Sequence, residues 1–179
     1  MKIALCFSGQ LRFVNEYSKY VLENIINIYD TDVYAHLWWN ESMFNKPFHH
    51  AFDDLYKETV DDFIKIYKPK QIKIEKEYPS DIIDEEYTYK SRENDMFLTV
   101  EQCKKYINTQ KSQFHSVRKC FQLIENPQQY DFIIRLRTDC HIVSPLNLHM
   151  LKAETLYIQN GFCAGRDRKF CDWFAVGSP

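Results

Sequence analysis

Lys2-Ile3-Ala4-Leu5-Cys6-Phe7-Ser8-Gly9-Gln10 is the stretch whose pattern sets the fold class. A continuous apolar run stopped by a serine and a glycine has the form of a strand buried on both faces and ended by a turn, as parallel strands of α/β sheets are. Downstream, Val14, Tyr17, Val21, Ile25 and Ile28 recur at spacings of three and four, which predicts an amphipathic helix covering one face of the sheet. A second apolar run, Val33 to Trp39, follows Asp30-Thr31-Asp32. Strand, helix and strand in that order make a βαβ unit, whose crossover is expected to be right-handed.

The same alternation continues. Tyr56, Val60, Phe63 and Tyr67 predict a second helix closed by Pro69, and Ile72 and Ile74 alternate with polar residues as on a half-exposed edge strand. From residue 78 to 98 the pattern dissolves into an acidic, polar stretch, expected to be an irregular insertion or lid. Val100, Cys103 and Ile107, then Phe114, Val117, Phe121 and Ile124, mark a helix running to the Asn126-Pro127 stop, with Phe114, Val117 and Phe121 as its core stripe. Tyr130 to Leu136 is the next strand, and short strands are expected at Thr155 to Ile158 and Trp173 to Gly177. The expectation is one α/β domain over residues 1–179, a mostly parallel central sheet flanked by helices.

Composition narrows the function classes. A net charge of −2 and a pI near 6.3 give no general attraction to nucleic acid or to an anionic membrane, so any anionic ligand has to be met locally. No run approaches the roughly 20 apolar residues of a membrane span, and no secretory h-region follows Met1-Lys2. The six cysteines include no CxxC pair, which fits reduced thiols better than a disulfide framework, and the expected location is the cytoplasm.

In open α/β sheets ligands collect beyond the carboxyl ends of the strands. Three loops there carry chemistry-bearing residues. Ser8-Gly9-Gln10-Leu11-Arg12 offers close backbone approach at a helix start and a forked guanidinium for phosphate; equally, it is a tight turn with a surface arginine. Asp139-Cys140-His141 ends the late strand, and a turn that brought Asp139 and His141 to one cation would suit Mn²⁺ or Mg²⁺ carrying a diphosphate. The alternative is a strand end with an exposed histidine. Arg135 and Arg137 share one face of that strand, Arg135 read as structural and Arg137 open between structure and donor binding. The third loop places Asp172 where a carboxylate can deprotonate an acceptor hydroxyl, or simply open a strand. On the preceding helix Gln113, Ser116 and Lys119 fall on one face, either toward the donor cleft or toward solvent. Cys140, His141, Cys163 and Cys171 lack the paired spacing of a structural zinc site, and His49-His50 reads as a surface loop feature.

Taken in order, Ile3 to Arg12, Asp32-Val33-Tyr34-Ala35-His36-Leu37-Trp38, Gln113 to Lys119, Tyr130 to Asp139 and Asp172 to Ser178 resemble small GT-A-fold glycosyltransferases of the kind encoded by large DNA viruses and surface-glycan gene clusters. The resemblance implies a nucleotide-sugar donor, usually a UDP-sugar, held at the end of the first strand by Ser8, Gly9, Gln10 and Arg12. It implies that Asp139-Cys140-His141 stands in the place of an Asp-x-Asp metal motif, with histidine for the second aspartate, and that Asp172 matches the acidic position of a catalytic base. The acceptor would be a glycan or a protein-linked glycan. Members of that group often continue past the point matching Pro179 into a helix and tail, so a fragment or a minimal site is expected here. Two other readings compete: a noncatalytic nucleotide- or glycan-binding module, and a nucleotidyltransferase, against which stands the lack of a glycine-rich basic triphosphate loop beyond Ser8 to Arg12.

Overall fold

The computed structural model describes residues 1–45, 57–76, 100–158, 161–163, 166–168 and 174–179, with 100–107, 109, 161–163 and 166–168 described by backbone alone. The expected insertion at 78–98, Tyr56, Trp173 and Asp172 lie outside them.

Six strands form one mixed sheet: β1 (Lys2–Gln10), β2 (Asp30–Trp38), β3 (Gln71–Glu75), β4 (Phe132–Leu136), β5 (Tyr157–Ile158) and, last in the chain, β8 (Phe174–Gly177). Their order across the sheet is β3-β2-β1-β4-β8-β5. The β3, β2, β1 and β4 pairings are parallel, and β8 runs antiparallel to both β4 and β5. The short strands β6 (Gly161–Cys163) and β7 (Arg166–Arg168) pair separately as an antiparallel ribbon. The α/β class and the mostly parallel sheet expected from the apolar runs are both present.

Because side chains alternate across a strand, β1 feeds two cores. Ile3, Leu5 and Phe7 join Val33, Ala35, Leu37, Ile134 and Leu136 under α1 (Val14–Val21) and α2 (Val60–Tyr67). Ala4 and Cys6 face the other way with Tyr34, against Cys120 and Ile124 at the end of α3 (Val100–Phe121). The sheet therefore lies between helices on both faces. Among the described residues no helix is long and apolar enough to cross a membrane.

Two helices differ from their sequence patterns. α1 does not run straight to Ile28. It widens into a π-helical turn over Leu22–Ile26, after which Ile28 is exposed. The extra residue of that turn frees Asn24, whose carbonyl accepts from the Leu146 N–H at 3.1 Å while its amide donates to the Ile142 carbonyl at 2.6 Å. The turn is thus where the chain after β4 docks on α1. On α3 the predicted stripe is rotated: Phe114 is 70% exposed and Phe121 40%, whereas Ser116 and Cys120 are buried. Small side chains let the helix sit close to the sheet, and the Cys120 thiol donates to the Phe7 carbonyl at 3.2 Å.

α2 follows its local signals. Thr59 and Asp62 form a reciprocal capping box, and Lys68, in the left-handed conformation just before Pro69, ends the helix.

Candidate functional site

β1 leads into strands on either side of it, β2 on one flank and β4 on the other, so the carboxyl ends of β1 and β4 border the crevice where an α/β sheet reverses its winding. Two of the three loops singled out in the sequence, Ser8 to Arg12 and Asp139 to His141, lie there. The Thr138 hydroxyl stitches them together, donating to the Gln10 carbonyl at 3.1 Å and accepting the Arg12 N–H at 3.0 Å.

Within this crevice Gly9 has φ +115°, a conformation that residues with side chains rarely adopt, and a Cβ built on it meets no described atom within 4 Å. Among the described residues backbone shape, not crowding, requires glycine here. Ser8 is buried, and its Oγ accepts from Arg135 Nε at 3.1 Å. That bond satisfies part of a guanidinium buried in the sheet, in keeping with a structural Arg135. The Gln10 side-chain oxygen accepts from Arg12 Nη2. Phe13, with φ 52°, caps α1 without a side-chain hydrogen bond.

Asp139 is the focus of the local charge. Arg137 grips both its oxygens, Nε to Oδ1 at 2.9 Å and Nη2 to Oδ2 at 2.5 Å, and Arg12 Nη1 stands 4.0 Å from Oδ2. Among the described residues two guanidiniums thus converge on the carboxylate of Asp139. Cys140, next in the chain, is buried, and that burial pushes its thiol up to about 12, so it stays protonated and unreactive at neutral pH.

The cation expected at Asp139 and His141 fits this arrangement poorly. Both Asp139 oxygens face Arg137, and the exposed His141 ring stacks on Tyr17, with centroids 5.3 Å apart and planes 7° apart, and touches Tyr20 at 4.0 Å. A cation would gain Asp139 only in exchange for that bidentate ion pair.

Of the α3 residues, Ser116 is directed to β2 and is fully buried there, while Gln113 and Lys119 are half-buried. Ser116 leads to a second polar group that the sequence pattern did not disclose. His36 on β2, fully buried, places Nδ1 2.8 Å from Ser116 Oγ and Nε2 3.1 Å from Glu75 Oε2 at the end of β3. His115 Nε2 lies 3.4 Å from the same carboxylate oxygen, and Lys73 Nζ bonds the other, Oε1, at 2.5 Å. The Lys73 ammonium is the largest influence on Glu75 and, against the effect of burial, holds it down at about 2. Burial lowers His36 despite the neighbouring carboxylate. The available signal was a histidine inside the otherwise apolar run Val33 to Trp38, too common a feature to identify a site unaided.

Asp172 lies outside the described residues. No protein-family model, curated protein sequence or solved structure matches the chain.

Proposed function

We propose that the chain is a nucleotide-sugar-dependent glycosyltransferase of the GT-A type that uses the β1/β4 crevice as its donor site. The observation that carries this reading is the convergence of Arg12 and Arg137 on Asp139 beside the open backbone of Gly9. A diphosphate is served by what this crevice combines, close backbone approach and forked guanidinium donors. A mixed sheet with one antiparallel strand set between β4 and β5 is compatible with that type.

In this reading the donor is a UDP-sugar and the acceptor a hydroxyl of a glycan or a protein-linked glycan. The acceptor oxygen attacks the anomeric carbon as the bond from that carbon to the diphosphate oxygen breaks. The nucleoside diphosphate leaves with its negative charge on Arg12 and Arg137, which exchange Asp139 for phosphate oxygens. Asp172 takes the hydroxyl proton if configuration inverts. Because Asp139 already neutralises a guanidinium, the charge of the leaving group is assigned to the arginines and not to Mn²⁺ or Mg²⁺ at Asp139 and His141.

Calorimetric titration with UDP, GDP and CDP, each with and without Mn²⁺, followed by transfer assays with the matching nucleotide sugars, tests this. The expected result is selective binding of UDP without metal and turnover of a UDP-sugar. Failure of all three nucleotides to bind overturns the reading. Binding without turnover over a broad acceptor panel replaces it with a noncatalytic nucleotide-binding module.

A further inference from the structure

The group formed by His36, Glu75, His115 and Ser116 is independent of the β1/β4 crevice and has a hydrogen-bond problem of its own. Ser116 Oγ carries one proton, which it donates to the His36 carbonyl oxygen at 3.1 Å. Its lone pair is then open to His36 Nδ1 at 2.8 Å, and in the tautomer that uses this bond the ring proton sits on Nδ1. Nε2 is left with a lone pair facing Glu75 Oε2 at 3.1 Å, and His115 Nε2 approaches the same oxygen at 3.4 Å. In that tautomer two electron-pair donors face each other beside a fully buried imidazole, an arrangement that a bridging cation satisfies.

From this geometry we infer that His36 Nε2, His115 Nε2 and Glu75 Oε2 form a binding site for a divalent transition-metal ion of the Zn²⁺ class. The three atoms lie within 4.8 Å of one another. Metal bonds of about 2.0–2.1 Å at tetrahedral angles set neighbouring ligand atoms about 3.4 Å apart, close to the two separations that involve Glu75. The remaining adjustment falls on His115, which is half-buried on α3 and rests on the Trp38 ring, with centroids 5.6 Å apart and planes inclined by 24°. Two imidazoles and one carboxylate select Zn²⁺, Co²⁺ or Ni²⁺ over Mg²⁺ or Ca²⁺, which favour all-oxygen shells. Ser116 plays the supporting part, fixing the His36 tautomer and ring plane through Nδ1. Lys73 keeps the second Glu75 oxygen, so the carboxylate binds through one atom. The three ligands come from β2, β3 and α3, so the ion clamps that helix across the ends of two strands and retains a fourth position for water or another ligand.

The test uses the full chain stripped with a chelator and titrated with Co²⁺, then with Zn²⁺ in competition, read by the visible d–d absorption and by the thermal midpoint. One tetrahedral Co²⁺ per chain, displaced by Zn²⁺, and a higher midpoint with metal are expected. His115→Ala should abolish stoichiometric binding, and Ser116→Ala should weaken it about tenfold or more, each leaving the metal-free fold intact by circular dichroism. The site is refuted if Co²⁺ does not bind, if His115→Ala leaves the affinity unchanged, or if an intense thiolate charge-transfer band shows that cysteines take the ion.

Discussion

Arg137 and Asp139, two positions apart in the turn after β4, form a bidentate ion pair with contacts of 2.9 and 2.5 Å, and Arg12 from the turn after β1 approaches the same carboxylate at 4.0 Å. In the proposed donor site the acid is a placeholder for an anion between two strand ends. If a diphosphate replaces it, Asp139→Asn should strengthen metal-free UDP binding severalfold. Arg12→Ala or Arg137→Ala should weaken it about tenfold, corresponding to about 1.4 kcal/mol for one charge-assisted contact. Calorimetry in the presence of chelator measures all three variants. Unchanged affinity in Arg137→Ala would remove the guanidinium from the donor site.

α3 supplies a test of packing. Phe114→Ser, at a position 70% exposed, should change stability by no more than about 0.5 kcal/mol, whereas Cys120→Leu should cost about 1–3 kcal/mol, because it forces bulk between the helix and Ala4 and Cys6. Urea unfolding of the two variants distinguishes them. A larger loss for Phe114→Ser would restore the aromatic stripe as the buried face.

That reversal marks how far the sequence could be read. β1, β2, β3 and β4 were legible because their apolar runs are unbroken or alternate cleanly, and α2 because Val60, Phe63 and Tyr67 recur at helical spacing ahead of Pro69. The register of α3 was not, since hydrophobicity favours Phe114 while close helix–sheet approach favours Ser116 and Cys120. The π-helical turn at Leu22–Ile26 answers to a docking loop more than 100 residues away, which no local pattern encodes. Asp139 and Arg12 were legible as candidates, but the convergence of Arg12 and Arg137 on Asp139 depends on a turn geometry that spacing alone leaves open. The His36 cluster joins β2, β3 and α3, and each of its residues by itself reads as ordinary.

Thr59 tests the start of α2. Its hydroxyl accepts from the Asp62 N–H at 3.3 Å, and its own N–H donates to the Asp62 carboxylate at 2.8 Å. Thr59→Ala should lower stability by about 1 kcal/mol, as loss of a helix cap does, and Thr59→Ser should restore most of it. Denaturant midpoints report both. An unchanged midpoint for the alanine variant would mean that the box contributes nothing net.

Asp32 predicts one component of the acid response. Burial pushes its carboxyl up, but the Tyr130 hydroxyl at 2.6 Å and Lys70 Nζ at 2.9 Å outweigh burial, and with Lys2 nearby the net shift is below the ordinary value of 3.8. A lowered folded-state value means that the unfolded chain binds the proton first. The stabilisation is therefore complete above the ordinary Asp range and is lost as the pH falls through the lower folded value. Asp32→Asn should lower stability at neutral pH and flatten the pH dependence below about pH 4. Parallel unfolding curves for the two proteins across that range would exclude Asp32 as a contributor.

Gly9 separates backbone shape from ligand approach. Its φ of +115° imposes strain on any side-chain-bearing residue, yet no described atom lies within 4 Å of a Cβ placed there. Gly9→Ala should therefore cost about 1–2 kcal/mol in stability through the backbone alone, without the larger penalty of a clash. If the diphosphate sits against this backbone, the same substitution should also weaken UDP binding about tenfold or more, at a temperature where the variant remains folded. Measuring both quantities on one preparation separates the two effects. A variant that is destabilised but binds UDP normally would move the ligand away from the end of β1, while retained stability together with lost binding would show that the crevice tolerates the strain and reserves the space above Gly9 for the donor.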